Sequence, residues 1–140
     1  AAVPAKAQDP KCAANEGRIR RHFACDALEQ VLASRESDQS EWAARELATL
    51  RTKSPQACKV SLRQLATSLT LDTFARNMAM EYRIGSRVIV LPDFAEGVRA
   101  VIVDKDHAPK WNPAAPEDVT EAMLDAIFAP LPQEEEWKPL

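Results

Sequence analysis

The stretch that decides the fold is "DFAEGVRAVIVDKDHAPKW", residues 93–111. Its middle, residues 98–103, is rich in β-branched residues, which is typical of a strand. However, Asp93 is followed three positions later by Glu96, the spacing of a capping box at the start of a helix. Four apolar residues also share one helical face: Phe94, Val98, Val101 and Ile102. We therefore predict a helix that begins near Asp93.

The alternative is a β-hairpin in which residues 88–90 pair with residues 98–103. Its loop, "PDFAEG" at 92–97, would be six residues long and contains no Asn-Gly or Asp-Gly pair. Hairpin loops are usually shorter and favour those pairs. Because Pro92 also separates two helical patterns, we prefer two helices to a hairpin.

Helical periodicity continues through most of the chain. It predicts helices over residues 15–23, 27–35, 41–52 and 71–89, and two more that begin at Ser54 and at Glu117. Ser40 and Ser54 are suited to cap two of these helices, and Pro55 fits a first helical turn. The sequence thus predicts an all-α segment.

Three apolar stripes follow the helical repeat and are candidates for burial. They consist of Cys58, Leu62, Leu65 and Leu69; of Leu71, Phe74, Met78, Tyr82, Gly85 and Ile89; and of Val119, Met123, Ile127 and Phe128. Lys59 and Arg63 lie on another face of the first of these helices. Cys58 is expected to be a small core residue rather than a reactive thiolate.

Composition excludes several classes of protein. A chain of 140 residues suits one domain, or one piece of a larger one, and a net charge of -3 gives no bulk attraction to nucleic acid or to an anionic membrane. No apolar run reaches the length that crosses a bilayer. Three cysteines without CxxC spacing argue against a disulfide framework and fit a reducing compartment.

Motifs for self-contained catalysis or metal binding are missing from the sequence. His22, His107 and the cysteines lack metal-ligand spacing, and no serine lies in a GxSxG setting. The three glycines are too far apart to form a phosphate-binding loop.

One electrostatic conflict lies near the end of the predicted central helix. Asp104 and Asp106 are placed where carboxylates are unfavourable, so either the helix stops earlier or Lys105 and a neighbouring basic group compensate them. Lys105, Lys110 and Arg99 are expected to form surface salt bridges, with a ligand phosphate as the alternative partner.

Several ordered motifs carry a family resemblance. They are "SP" (54–55), "KVSLRQL" (59–65), "MEYR" (80–83), "DFAEGVRAVIVDKD" (93–106), "PKWNPA" (109–114), "VTEAM" (119–123) and "FAPLP" (128–132). Together they resemble the 3-hydroxyisobutyryl-CoA hydrolases, a branch of the crotonase (enoyl-CoA hydratase/isomerase) superfamily. Residues 12–53 match more loosely.

The resemblance implies a fold class and a division of the chain. The fold expected from it is the C-terminal helical part of a crotonase-like α/β protein, a β-β-α spiral whose core is absent from this chain. Residues 1–11 would be a flexible lead-in, or an end left by cleavage, and residues 12–53 a helical insertion. Residues 54–131 would form the crotonase-type helical region, and residues 132–140 an acidic mobile tail.

The resemblance also implies an activity, hydrolysis of a CoA thioester in valine degradation. The catalytic residues would lie in the absent core, so none is assigned to this chain. Lys105 would lie near the adenine end of CoA, which enters only as part of the substrate; no other cofactor and no metal is expected. The compartment would be the bacterial cytoplasm or the mitochondrial matrix.

The partners implied are the missing N-terminal crotonase core, the acyl-CoA substrate and further copies in a homo-oligomer, with a trimer as one option. No nucleic acid and no membrane is expected. Two alternatives stay open: an enoyl-CoA hydratase or isomerase of the same superfamily, and a non-catalytic helical interaction module.

Overall fold

The computed structural model describes residues 11–25 and 27–138, and within these ranges the chain forms helices and loops without a strand. The predicted lead-in, apart from Lys11, lies outside the described residues, as do positions 139 and 140 of the predicted tail. The α-helices are α1 (Lys11–Ala14), α2 (Glu16–Phe23), α3 (Leu28–Glu36), α4 (Glu41–Arg51), α5 (Pro55–Ser68), α6 (Phe74–Val88), α7 (Pro92–Val98) and α8 (Glu121–Phe128). A π-helix, Arg99–Val103, continues α7, and a 3₁₀ turn, Pro116–Asp118, precedes α8.

The all-helical prediction is confirmed, but the α/β part of the predicted fold class is corrected. The described residues contain no β-β-α unit. The reason lies in the sequence: each long segment repeats its apolar residues at three and four positions rather than at every second one.

The chain divides into two compact units, and the boundary between Leu47 and Ala48 falls inside α4. In the first unit, His22 is buried and both its ring nitrogens are bonded. Nδ1 lies 2.8 Å from Ser34 Oγ and Nε2 lies 2.8 Å from Asp38 Oδ2. This histidine therefore fastens α2 to α3 and to the turn that follows it.

Arg35 is also buried in the first unit. Its guanidinium carbon lies 4.0 Å from the centre of the Phe23 ring and 5.7 Å from that of Trp42. None of its side-chain nitrogens has a hydrogen-bond partner among the described residues. Burial lowers the pKa of Arg35, an effect that the nearby Glu46 opposes. Stacking on the aromatic rings and the negative charge of Glu46 thus both stabilise this cation.

The second unit has its own core, formed where α6 packs against α8. Its buried members are Val60, Met80, Ile84, Val119, Leu124 and Ile127. Polar contacts join α5 to α8 and to the turn before it: Lys59 Nζ donates to Val119 O at 3.3 Å, and Arg63 Nη2 to Asp125 Oδ1 at 2.6 Å. Each such contact bridges about sixty positions, so the core of this unit is assembled from distant segments of sequence.

Side-chain caps set most of the helix starts in the second unit. The Ser54 hydroxyl accepts from the Ala57 N–H at 3.0 Å, which confirms the predicted cap, and Pro55 fills the first turn. Thr120 caps α8 through the Met123 N–H. The last helix therefore begins at Glu121, and the prediction that it begins at Glu117 was wrong, because Pro116–Asp118 forms a separate 3₁₀ turn.

The stretch at 93–111 begins as a helix, and the hairpin is excluded. The predicted capping box, however, is wrong. Leu91 occupies the N-cap and no side chain caps this helix. The Asp93 and Glu96 carboxylates bind partners elsewhere, as described below.

The predicted apolar stripes are only partly buried. Leu69 is 90 % exposed, Phe74 76 % and Leu65 66 %, whereas the neighbouring faces carry the buried Val60, Met80 and Ile84. Helical periodicity identified the helices correctly, but it did not show which apolar face the described residues cover. Because these stripe residues are exposed, the second unit has a large apolar surface.

Candidate functional site

Arg99 organises the loop that follows the central helix. Its Nε and Nη2 donate to the two oxygens of Glu96 at 2.9 and 2.8 Å. Its Nη1 donates to Asp104 Oδ2 at 2.6 Å and to Asp106 Oδ2 at 2.7 Å. The salt bridges expected of Arg99 thus form, and Arg99 is the basic group that compensates the two aspartates.

The far end of this loop is held through backbone groups. The N–H of Lys110 donates to Glu96 Oε1 at 2.7 Å, and the N–H of Ala108 to Asp106 Oδ1 at 2.9 Å. Glu96 and Asp106 therefore each join the Arg99 side chain to the outgoing chain.

The pKa values of these groups reflect the same contacts. The pKa of Glu96 falls to about 2, first because Arg99 donates to its carboxylate and then because the Lys110 N–H does so. The pKa of Asp106 is lowered by Arg99 and the Ala108 N–H. The pKa of Arg99 is raised, chiefly by Glu96. All three side chains are thus charged at neutral pH.

Lys105, the predicted CoA contact, lies in this loop, two residues after the π-helix. It is exposed, and none of the described residues forms an ion pair with its ammonium group. Its φ of 56° and the φ of 53° at His107 are left-handed values. Such values are uncommon outside glycine and are found disproportionately at functional sites. Lys105 is therefore an exposed cation on a turn whose backbone has two left-handed residues.

A second set of contacts fixes the base of the loop. Asp93 is buried; the Ser54 hydroxyl donates to its Oδ2, and the Asn112 N–H donates to its Oδ1 at 2.8 Å. Next to it, Trp111 Nε1 donates to Thr52 O at 3.0 Å. The start of α5, the start of α7 and the end of the loop are thereby held together.

An apolar cavity of about 480 Å³ adjoins the loop. It lies between α5, the end of α6 and the segment formed by α7 and the π-helix. Fourteen residues line it: Lys53, Ser54, Gln56, Ala57, Val60, Val88, Leu91, Asp93, Phe94, Gly97, Val98, Val101, Ile102 and Trp111. Val101 and Ile102 are more than half exposed, and the chain reaches Lys105 three residues later. Cavities lined mostly by apolar groups with a few polar ones are typical ligand or partner sites.

Other candidates do not form a site in the described residues. Burial raises the pKa of the Cys58 thiol, an effect that Lys53 opposes, which disfavours a reactive thiolate. No group of three or more histidine, cysteine or acidic residues in the described ranges is arranged to hold a metal ion. No described helix is both long and apolar enough to cross a membrane.

Sequence reasoning missed two features of the structure. It treated Asp93 and Glu96 as helix caps, whereas both hold the loop, and it gave His22 no partner although Ser34 and Asp38 bind it. The sequence "DKD", which begins five residues after Arg99, could have indicated the role of Arg99. One lysine cannot compensate two flanking carboxylates, so a second basic side chain is needed.

The comparisons with known proteins decide the family. A sequence model described as enoyl-CoA hydratase/isomerase matches residues 1–128. The chain belongs to this family.

Curated relatives of this crotonase-superfamily chain are named as hydrolases. The mitochondrial 3-hydroxyisobutyryl-CoA hydrolase of Dictyostelium discoideum is 35% identical over 125 residues, which are 89% of this chain and 33% of the relative. That of Gallus gallus is 38% identical over 117 residues, or 81% and 29% of the two chains. The chain thus spans about a third of the length of these relatives.

Two solved structures share its fold. An enoyl-CoA hydratase from Rhodobacter sphaeroides matches with a TM-score of 0.84 and 31% identity, over 96% of this chain and 40% of that one. A carnitinyl-CoA dehydratase from Mycobacterium thermoresistibile matches with a TM-score of 0.84 and 26% identity, over 92% and 37%. These matches complete the correction of the fold class: the described residues form an all-helical segment of a crotonase fold, and none of them belongs to the β-β-α spiral that the predicted fold class named.

Proposed function

We propose that this chain is the C-terminal part of an acyl-CoA thioester hydrolase whose substrate is 3-hydroxyisobutyryl-CoA, an intermediate of valine degradation. The names of the relatives from Dictyostelium discoideum and Gallus gallus support this activity. Because the chain spans about a third of those proteins, the residues that cleave the thioester are placed in a preceding segment.

The observation that carries the proposal is that the segment lining the apolar cavity is followed, three residues after Ile102, by the exposed Lys105. The π-helix lines the cavity with Val101 and Ile102 and leads directly into the loop that exposes Lys105. A CoA thioester combines an apolar acyl and pantetheine portion with a phosphorylated nucleotide. A cation next to an apolar cavity suits such a ligand, and ammonium groups are common phosphate binders.

The role proposed for this chain is to bind and enclose the substrate. Lys105 contacts a phosphate at the adenine end of CoA, and the helices beside the cavity cover the acyl-CoA site. CoA enters as part of the substrate, so the proposal needs no separate cofactor.

The exposed apolar side chains support two kinds of partner. The preceding crotonase segment of the same protein covers part of this surface, and further copies in a homo-oligomer, such as a trimer, cover another part. The relatives named above are described as mitochondrial, so the matrix is the proposed compartment.

The test is an assay of the complete protein, with whatever its gene encodes ahead of Ala1. Release of free CoA from 3-hydroxyisobutyryl-CoA is followed through its thiol, and hydration of an enoyl-CoA is followed through loss of the conjugated double bond. The proposal predicts thiol release without hydration.

Hydration of a double bond is the second candidate, favoured by the names of the two solved structures. Rapid enoyl-CoA hydration with little thiol release would replace the hydrolase proposal by this one. Absence of both reactions, with retained binding of another protein, would favour the non-catalytic interaction module.

A further inference from the structure

Arg99 makes five side-chain hydrogen bonds to described residues, which matches the five N–H donors of an arginine. Two go to Glu96 and one each to Asp104 and Asp106, and the fifth runs from Nη2 to Ala108 O at 3.3 Å. A lysine has three donors on a single nitrogen and cannot reproduce this planar arrangement. The position therefore depends on the geometry of arginine as well as on its charge.

The two aspartates held by Arg99 directly flank Lys105. An unheld carboxylate on either side would attract the Lys105 ammonium and repel a ligand phosphate. The same Nη1 nitrogen binds one oxygen from each aspartate. Lys105, in contrast, has no ion-pair partner among the residues that the structure describes. The Asp104 and Asp106 carboxylates thus pair with Arg99, and the Lys105 ammonium group stays accessible.

The same contacts fix the backbone around Lys105. The N–H of Asp104 donates to Arg99 O at 2.8 Å, the bond that closes the π-helix, and the N–H of His107 donates to Ala100 O at 3.0 Å. Between these anchors Lys105 has its left-handed φ of 56°. A left-handed conformation is unfavourable for residues with a Cβ and persists only where surrounding contacts hold it. Arg99 supplies such contacts through the side chains on both sides of Lys105.

We infer that Arg99 is a positioning residue for phosphate binding. By holding Asp104 and Asp106, it keeps the Lys105 ammonium unpaired and its backbone fixed for the phosphates of a CoA thioester. This inference rests on the proposed function and adds to it the residue on which the Lys105 contact depends.

The experiment uses the complete protein and two substrates, 3-hydroxyisobutyryl-CoA and the matching pantetheine thioester, which has no phosphate. The variants are Arg99→Lys and Lys105→Met. The matched control is Arg76→Lys, because Arg76 is an exposed arginine of α6 that pairs with Asp72. Steady-state KM and kcat are measured for each protein with each substrate.

We expect Arg99→Lys and Lys105→Met each to raise KM for the CoA thioester about tenfold, the effect of losing one charged hydrogen bond. Because the pantetheine thioester has no phosphate, the ratio of the KM for the CoA thioester to the KM for the pantetheine thioester should rise by the same factor. Every constant of Arg76→Lys should stay unchanged. Adding Asp104→Asn and Asp106→Asn to Arg99→Lys should restore KM, because Lys105 then has no competing carboxylate.

Three results would overturn parts of this inference, and they are distinguishable. If Arg99→Lys behaves like Arg76→Lys, or impairs both substrates equally, Arg99 does not position Lys105 for phosphate. If the double asparagine change restores nothing, the carboxylates do not compete for Lys105. If the wild-type protein turns over neither substrate, the proposed function fails, and the inference fails with it.

Discussion

Asp93 illustrates how one buried carboxylate can hold three segments of chain. It accepts a hydrogen bond from Ser54, 39 positions earlier, and another from the N–H of Asn112, 19 positions later. Buried carboxylates are unfavourable unless such donors surround them, and removing one partner leaves the others unsatisfied. Asp93 is therefore a structural residue at the base of the candidate site.

The corresponding prediction concerns stability. Asp93→Ala should lower the free energy of unfolding by about 1–3 kcal/mol, because it leaves buried donors without an acceptor. Asp72→Ala is the control, since Asp72 pairs with Arg76 on the surface. Equilibrium urea unfolding of the complete protein measures both. Equal effects of the two substitutions would contradict the structural role of Asp93.

Glu96 gives a prediction about pH. Its folded pKa of about 2 lies below its ordinary value of 4.5. Its contribution to folding is therefore complete above pH 4.5 and is lost as the pH falls from 4.5 towards 2. The carboxyl-carbon chemical shift of Glu96, titrated by NMR in the complete protein, should still report the ionised form at about pH 4.

Arg99→Gln serves as the control for this titration. Because Arg99 is the first cause of the lowered pKa, its loss should move the Glu96 midpoint up towards 4.5. A wild-type midpoint near 4.5 would show that Arg99 does not hold Glu96 in solution.

Among the helices, two glycines provide a matched pair. A Cβ at Gly97 in α7 would lie 3.4 and 3.7 Å from atoms of the Trp111 ring, whereas a Cβ at Gly17 in α2 would meet nothing within 4 Å. A Cβ at Gly97 would therefore only touch the Trp111 ring, whereas a longer side chain would have to displace the ring, which donates to Thr52.

We predict opposite effects of leucine at these positions. Gly97→Leu should destabilise the protein by about 1–3 kcal/mol, since a larger side chain displaces the Trp111 ring. Gly17→Leu should stabilise it by about 0.5–1 kcal/mol, because the helix gains a residue of better propensity. Thermal unfolding of the complete protein measures both changes. A stabilising Gly97→Leu would show that the Trp111 contact is not formed.

The helices could be predicted from the sequence because their signals are local. The apolar repeat gave their approximate bounds, and Ser54 and Pro55 marked the start of α5. The same reasoning failed for Asp93 and Glu96, whose partners include residues far beyond one helical turn. A carboxylate at the start of a helix gives the same sequence pattern whether it binds its own helix or a distant loop. The pattern therefore cannot distinguish the two cases.

The orientation of the helices could not be predicted, for a related reason. On α5 and α6, apolar residues occupy more than one face, and periodicity alone does not rank them. Val60, Met80 and Ile84 are buried, while the stripe residues Leu69 and Phe74 remain exposed. The candidate site was predicted only in part: Lys105 came from the family resemblance and stays a prediction, whereas the contacts of Arg99 with Asp104 and Asp106 required the structure.

Across the whole molecule, the most prominent feature is the apolar surface of the second unit, whose described residues expose more large apolar side chains than their core buries. The exposed ones are Leu65, Leu69, Phe74, Tyr82, Ile89, Val90, Phe94, Val101, Ile102 and Val103. Exposed apolar surface of this extent marks an interaction face. The chain spans about a third of the length of its hydrolase relatives, so the preceding segment of the protein is the proposed partner of this face.

Hydroxyl-radical footprinting with mass spectrometry can decide whether this face is covered, because it reports the exposure of individual side chains. Each rate in the complete protein is divided by the rate of the same residue in urea, and the buried Met80 gives the limit for an interior side chain. We expect Leu69, Phe74 and Ile102 to react nearly as slowly as this limit. Reaction of these three side chains at their unfolded rates would contradict the proposal that the rest of the protein covers the apolar face.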